Sequence, residues 1–340
     1  MPSIDPIPTD VSAADPLTAG AGAGAGGAGL QAAAALGLTM IERGWLSANQ
    51  VIFAAHGATP ATVVDTGFSA HAPQTVALVD RALSGQALGR IVNTHLHSDH
   101  CGGNRALQQR GAVETWVPAP SLSTVQQWDE DALSYRSTGQ PCPRFAADRA
   151  LVPGETIALG AADWQIHAAP GHDMDAILLF EPQTRTLIAG DALWEDRLAI
   201  IFPELVGDDG FGPTRATLAL IERLHPREVI PGHGRAFGDV ARALAASRQR
   251  VDAFERAPDK HAQHAARALL MFHLLEVREA GVGELVDWMR GTPIYRTVAR
   301  RAGLDDTSAA DWAMTHVRRL VDDGVLLETA GRVAVRPQAS

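Results

Sequence analysis

Four side chains able to hold a metal ion fall within six consecutive positions: His95, His97, Asp99 and His100, in the string "NTHLHSDHCGGN" at 93–104. In an extended loop alternate side chains project the same way, so His95 and His97 can reach one point together. Asp99 continues that alternation, and His100 turns off it. Neutral imidazoles beside a carboxylate make a good site for a borderline-soft divalent cation. Gly102 and Gly103 follow at once and let the backbone turn tightly into the next element. A polar loop whose histidines only meet water has no need of four ligand-type residues in so short a stretch, directly after an apolar run.

One loop does not complete two coordination shells, and the chain offers more donors. "APGHD" brings His172, "IAGD" brings Asp191 and "IPGHG" brings His233. Each follows an apolar run and each is preceded by glycine. A single Pro-Gly-His is more often just a turn. Recurrence at successive strand ends is what turns these three into site candidates.

Such loops need strands to carry them. "LTMIERGWLSANQVIFAAHGATPATVVDTG", from Leu38, reads as successive short strands broken by Gly, Asn and Pro. The spacing of Val76, Val79 and Leu83 predicts a helix over 72–85. "LGRIVNTH" (88–95) is a buried strand that ends in the histidine loop, "GGNRALQQRG" starts a helix, and "AVETWVPA" returns as a strand. Residues 119–150 are less regular and read as an inserted helix and loop. "ETIALGAADWQIHAAPGHD" and "AILLFEPQTRTLIAGD" are strand pairs, and Leu218, Ile221 and Leu224 mark a helix over 213–226. "REVIPGHG" is one more strand-to-loop step. Strands mixed with helices, each strand ending in a polar loop, give an α/β fold with stacked sheets flanked by helices.

After about residue 240 the strand signals stop. Helices are expected near 238–256, 259–279, 282–290 and 293–302. A fifth, in "SAADWAMTHVRRLVDDG", places Ala309, Trp312, Ala313, Val317, Leu320 and Val321 on one face. "VLLETAGRVAV" then reads as a hairpin around Gly331, so the end of the chain resembles a winged-helix module. The expected domains are a flexible Ala/Gly-rich tail over 1–30, a catalytic domain over 31–240 and a helical domain over 241–340.

The 340 residues carry a formal net charge of −10, which argues against a general polyanion binder. Residues 240–340 hold 15 Lys+Arg against 13 Asp+Glu, and residues 1–239 hold 14 against 26. The helical part is therefore near neutral, poor ground for a nucleic-acid groove. Cys101 and Cys142 are too few for a disulfide framework and suit a reducing compartment. The N-terminal stretch has Pro and Asp where a secretion signal wants Lys or Arg, and no apolar run approaches a membrane span. A cytoplasmic protein without membrane partners is expected.

Taken in order, "TVVDTG", "THLHSDHCGG", "APGHD", "IAGD" and "IPGHG" resemble the motif series of the metallo-β-lactamase fold superfamily, from about residue 40 to 240. The resemblance implies an αββα sandwich with two divalent metal ions at the edge where the loops converge, zinc first, iron or manganese otherwise. His95, His97 and His172 would hold the first ion. Asp99, His100 and His233 would hold the second, and Asp191 would bridge both. Asp65 of "TVVDTG" would stand outside the metal shell and orient the site, since such carboxylates fix ligand histidines by accepting their other N–H. Asp99 would double as a proton acceptor. Cys101, next to His100, reads as a small buried thiol packing the turn rather than a nucleophile.

Asp191 also narrows what the resemblance implies. The true β-lactamases of the superfamily lack this bridging aspartate, so the pattern is closer to glyoxalase II, lactonases and other ester or thioester hydrolases. Leu96 stands where glyoxalase II has a third histidine. The expected activity is hydrolysis of an ester, thioester or lactone of a small molecule by metal-activated hydroxide. The alternatives are a nuclease or phosphodiesterase, an iron-dependent sulfur dioxygenase, and a binder using the same fold. Trp194, Phe202 and Phe211, in the segment after Asp191, would line an apolar wall or pack the sandwich edge. The helical module would cover the pocket or pair two subunits. His56, His71, His167, His225, His261, His264, His273 and His316 are assigned no role.

Overall fold

Apolar residues alternate between two faces along the strands, and that alternation dictates how the layers stack. The computed structural model describes residues 36–301 and 306–336. The tail read at 1–30 lies outside the described residues. Strands β1 (Leu38–Ile41), β2 (Gln50–Phe53), β3 (Ala61–Val64), β4 (Leu88–Val92), β5 (Glu114–Pro118) and β6 (Arg149–Leu151) form one sheet in that order. Strands β7 (Thr156–Leu159), β8 (Ala162–Ala168), β9 (Ile177–Glu181), β10 (Thr186–Gly190) and β11 (Glu228–Pro231) form a second, ordered β11-β10-β9-β8-β7.

Val51, Phe53, Val64 and Val92 of the first sheet pack with Trp164, Ile177, Leu179, Ile188 and Ile230 of the second. Their neighbours in sequence point the other way. Ile52, Val63 and Ile91 meet Val79 and Leu83 of helix α1 (Ala72–Leu83). Leu178, Phe180, Leu187 and Val229 meet Leu218 and Ile221 of a helix over Phe211–Leu224, and Leu244 and Val251 of a helix over Val240–Arg256. One sheet face each for the shared core and one for helices gives the αββα sandwich that the motifs implied.

Strand direction decides where the loops go. β3 and β4 are parallel, and β10 and β11 are parallel. β8 is antiparallel to β9, and β9 to β10, so β8 runs with β10. Within each sheet the strands that precede the candidate donors therefore end at the same edge.

The 119–150 stretch is a short turn, then helices over Leu122–Gln127 and Tyr135–Thr138, then β6. Its residues Arg136–Gln140 group with the compact unit that runs from Arg256, whereas the helix over Val240–Arg256 packs against the second sheet. The unit from Arg256 contains helices Pro258–Val277, Val282–Gly291, Pro293–Arg301 and Asp306–Asp322, followed by strands β13 (Leu326–Thr329) and β14 (Arg332–Val335). Tyr295 ties it internally, its hydroxyl donating to the Ala266 carbonyl at 2.9 Å. Ala313, Val317 and Leu320 are buried as expected, while Ala309 lies outside the described side chains. One expectation is corrected: strand β12 (Glu279–Gly281) pairs antiparallel with β14, so strands do not stop at 240. Three residues reading Glu-Ala-Gly carry no alternation, and the partner strand alone makes them β. Among the described residues no helix is long and apolar enough to cross a membrane.

Phe53 and Trp164 meet edge to face between the sheets, with centroids 5.4 Å apart and both side chains fully buried. Trp164→Ala is expected to cost about 3–5 kcal/mol, the usual range for emptying a buried aromatic site. Urea unfolding followed by circular dichroism measures it; an unshifted midpoint would place the core elsewhere.

Candidate metal centre

Each candidate donor leaves the end of a strand. Asp65 follows β3, His95 follows β4 by three residues, Asp191 follows β10 directly and His233 follows β11 by two. His172 sits in the loop after β8. His97 caps the start of helix α2 (Ser98–Cys101), whose first turn carries Asp99 and His100. The sheets are laced together here by backbone. Ile177 N–H donates to the Thr94 carbonyl at 2.9 Å and Asn49 N–H to the Gly232 carbonyl at 2.7 Å, while Ala48 N–H donates to the Asp99 carbonyl at 2.9 Å between loops of the first sheet.

The structure brings all seven predicted donors together in three groups: His95, His97 and His172; His95, His100 and Asp191; Asp99, His100 and His233. Within each group one atom per residue lies within 4.8 Å of the others. His97 Nδ1 and His172 Nε2 are 2.8 Å apart. Asp99 Oδ2 is 3.1 Å from His233 Nε2. Asp191 stands between the clusters, with Oδ1 3.3 Å from His100 Nε2 and Oδ2 3.5 Å from His172 Nε2 and 3.8 Å from His233 Nε2.

Four of the five imidazoles, those of His95, His97, His100 and His172, are oriented through their other side. His100 Nδ1 lies 2.8 Å from Asp65 Oδ2, and His172 Nδ1 lies 2.5 Å from the Ile200 carbonyl. Thr94 Oγ1 lies 3.2 Å from His95 Nδ1, and Asp173 Oδ2 lies 3.7 Å from His97 Nε2. Partners of this kind leave one ring nitrogen of each histidine facing the centre. Gly232 is required for close approach. A Cβ there would lie 2.1 Å from Asp191 Oδ1 and 2.8 Å from His100 Cε1.

The electrostatics fit a cation. Burial and the neighbouring imidazoles hold His95 well below its ordinary pKa. Burial pushes His97 and His172 down to about 4. These rings are neutral near pH 7, as ligation requires. His100 is the contrast: burial would lower it, but Asp191, Asp65 and Asp99 outweigh burial and hold it well above its ordinary value. Burial would likewise raise the Asp191 carboxyl, yet His100 and His233 hold it well below the usual range. Three carboxylates around one imidazole is a concentration of negative charge that a divalent ion answers. His95 Nε2 is moreover buried with no hydrogen-bond partner. A buried orphan nitrogen is costly unless something else takes its lone pair. The donor set therefore fits metal binding.

Of the three aromatics expected either at a pocket wall or packing the sandwich edge, Phe202 and Trp194 are at the site. The Phe202 ring centroid is 4.7 Å from that of His97 and 5.5 Å from that of His172; Trp194 is 5.3 Å from His233. Phe211 is not on the wall. It opens its helix facing the second sheet and is buried in that core with Leu218 and Ile221. Cys101 is buried, 3.1 Å from the Tyr135 hydroxyl and 3.7 Å from the Cys142 sulfur, and burial pushes its thiol up. Two contributors were not legible in the sequence. Thr94 holds Asp65 and His95, and Trp45 stacks on His233 at 5.3 Å. Nothing in their local pattern distinguishes them from an ordinary strand end and an ordinary loop. None of the histidines assigned no role joins the three groups.

Asp65 sits at φ 57°, which Asn tolerates. Asp65→Asn keeps that backbone and removes the charge behind His100. Chelator competition on the variant is expected to show metal affinity weakened roughly 10–100-fold, as for other partners of ligating histidines. Unchanged affinity would separate Asp65 from the site.

A family model described as the metallo-beta-lactamase superfamily matches residues 43–233, more than half of the chain and every residue of the site. An acyl-coenzyme A thioesterase of Bos taurus is 27% identical over 217 residues, covering 58% of this chain and 77% of that protein. A hydroxyacylglutathione hydrolase of Anaeromyxobacter dehalogenans is 30% identical over 177 residues, and the match spans 52% of this chain and 60% of that protein. Among solved structures, a beta-lactamase domain protein from Burkholderia ambifaria shares the fold, with a TM-score of 0.52, 20% identity, and coverage of 88% of this chain and 92% of that one. The chain belongs to the metallo-beta-lactamase superfamily.

Proposed function

We propose that the chain is a hydrolase that uses two divalent ions, zinc first, to cleave a carboxylic thioester, with simple esters and lactones as neighbouring substrates. The observation that carries this reading is the placement of Asp191 between two clusters of donors. His95, His97 and His172 would hold one ion, Asp99, His100 and His233 the other, and Asp191 both. Ions held there would lower the pKa of a water toward neutrality and polarise a carbonyl oxygen.

The chain's own residues supply the rest. Asp65, Thr94, Asp173 and the Ile200 carbonyl keep the imidazoles aimed. The Asp99 carboxylate is at hand to accept the proton from an attacking water. Phe202 covers His97 and His172, and Val206, one helical turn further along the same short helix, is 63% exposed. Met174, two residues after His172, is 49% exposed. Large apolar side chains exposed on the segments that carry His172 and Phe202 suit an acyl chain. No side-chain nucleophile is needed, and the buried Cys101 is unsuited to that role. The similarity to an acyl-coenzyme A thioesterase supports the thioester over the other carbonyl substrates. The two unlinked thiols suit a reducing compartment, and the cytoplasm is the location proposed.

Metal-loaded protein is offered one panel of thioesters, esters, lactones and phosphodiesters, with acid release followed by a pH indicator. Thioesters are expected to turn over fastest, and Asp191→Ala to lose more than about 100-fold, beyond what loss of a supporting partner costs. Release from phosphodiesters alone would replace this reading with a nuclease. Sulfur oxidation by the iron-loaded protein, with no acid release, would replace it with the dioxygenase.

A further inference from the structure

Asp191 is pinned on one side only. Its Oδ1 accepts a hydrogen bond from the indole N–H of Trp194 at 3.2 Å. The same oxygen is 3.3 Å from His100 Nε2, and the backbone of Gly232 presses so close that no side chain fits between them. Oδ2 is left facing His172 and His233. A carboxylate can rotate about its last bond with little resistance, because that torsion is broad. A fixed donor on one oxygen removes the freedom and favours the ionised form.

The donor is itself held firmly. Trp194 meets Trp45 edge to face, with centroids 5.2 Å apart and planes at 76°. It meets His233 in the same way at 5.3 Å and 72°. Trp45 lies parallel to the His233 ring, at 5.3 Å and 8°. Edge-to-face contact fixes the plane of the indole, and with it the direction of the N–H. Phenylalanine would keep most of this packing and lose the donor.

We propose that Trp194 is a positioning residue: its N–H holds Asp191 Oδ1 beside His100 and leaves Oδ2 between His172 and His233, and so governs how tightly the second ion is held beside Asp99, His100 and His233. The proposal rests on the reading of Asp191 as a bridge between two ions. It concerns affinity for the ion and does not depend on which bond the enzyme cleaves.

The test uses the full chain stripped of metal and titrated with cobalt(II), whose ligand-field absorption reports each site as it fills. Wild type, Trp194→Phe and Trp45→Phe are compared, the last disturbing the same aromatic cluster while leaving the indole donor. Melting of the metal-free proteins shows whether each variant is folded. Trp194→Phe is expected to take the first ion as wild type does and the second roughly 10–100-fold more weakly, the range for partners of metal ligands. Its second-site absorption bands should shift, and activity lost at limiting metal should return at saturating metal with KM unchanged. Trp45→Phe should weaken the second ion less. Equal effects of the two variants, or an unshifted second affinity in folded Trp194→Phe, would overturn the role of the N–H. A wild-type chain that binds a single ion would instead remove the bridge, and this proposal with it.

Discussion

The histidine loop hangs on one buried carboxylate. Asp65 follows β3 in the left-handed backbone region, a conformation that costs an ordinary L-residue about 1–2 kcal/mol. The turn sends its side chain back into the sandwich, where Oδ1 accepts Thr94 N–H at 2.9 Å and Oδ2 accepts Thr94 Oγ1–H at 2.8 Å. Oδ2 also meets His100 Nδ1. These contacts fix the end of β4, the start of the histidine loop and the ring of His100 at once. The His100 carbonyl is caught in turn by Thr66 N–H at 2.7 Å and Asn93 Nδ2 at 3.2 Å. A loop so short could not present four donors in fixed directions without such anchoring, because each would otherwise lose orientation to rotamer freedom.

What surrounds that anchor explains the electrical design. The centre is buried, yet it holds three carboxylates and five imidazoles. Charge in such a place is tolerated only when it is paired. Asp65, Asp99 and Asp191 converge on His100, while His95, His97 and His172 face mostly one another and stay neutral. The two halves of the centre therefore differ in character. One is a nest of neutral nitrogens, and the other mixes nitrogen with carboxylate oxygen. Ions of different hardness discriminate between such environments.

Much of this was legible in the sequence, for identifiable reasons. The strands around Val63, Ile91, Leu179 and Ile188 announce themselves because both faces of each sheet are covered, which leaves unbroken β-branched and aliphatic runs. The seven donors are legible because metal chemistry restricts residue type and because each follows such a run. Strand β12 was not, since Glu279–Gly281 owes its conformation to a partner some fifty residues away. Phe211 illustrates a different limit: an aromatic next to a site-bearing segment has the same local pattern whether it lines a pocket or fills a core, and only the direction of its helix decides. Trp45 and Thr94 act through contacts with residues far along the chain, which leave no local pattern.

The lacing of Asn49 to Gly232 and of Thr94 to Ile177 has a consequence for the order of events as the chain folds. Both donor clusters draw on the first sheet and on the second: His95 and His97 need His172, and Asp99 and His100 need His233. The histidine string alone would be a loose chelator as soon as it is synthesised. The closed cage exists only after β11 has docked, once the entropy of ordering everything between has been met. Tight capture of an ion by these residues would therefore come last. An ion that favours the finished arrangement over the loose string would act as a latch that slows the reverse reaction more than a seed that speeds the forward one.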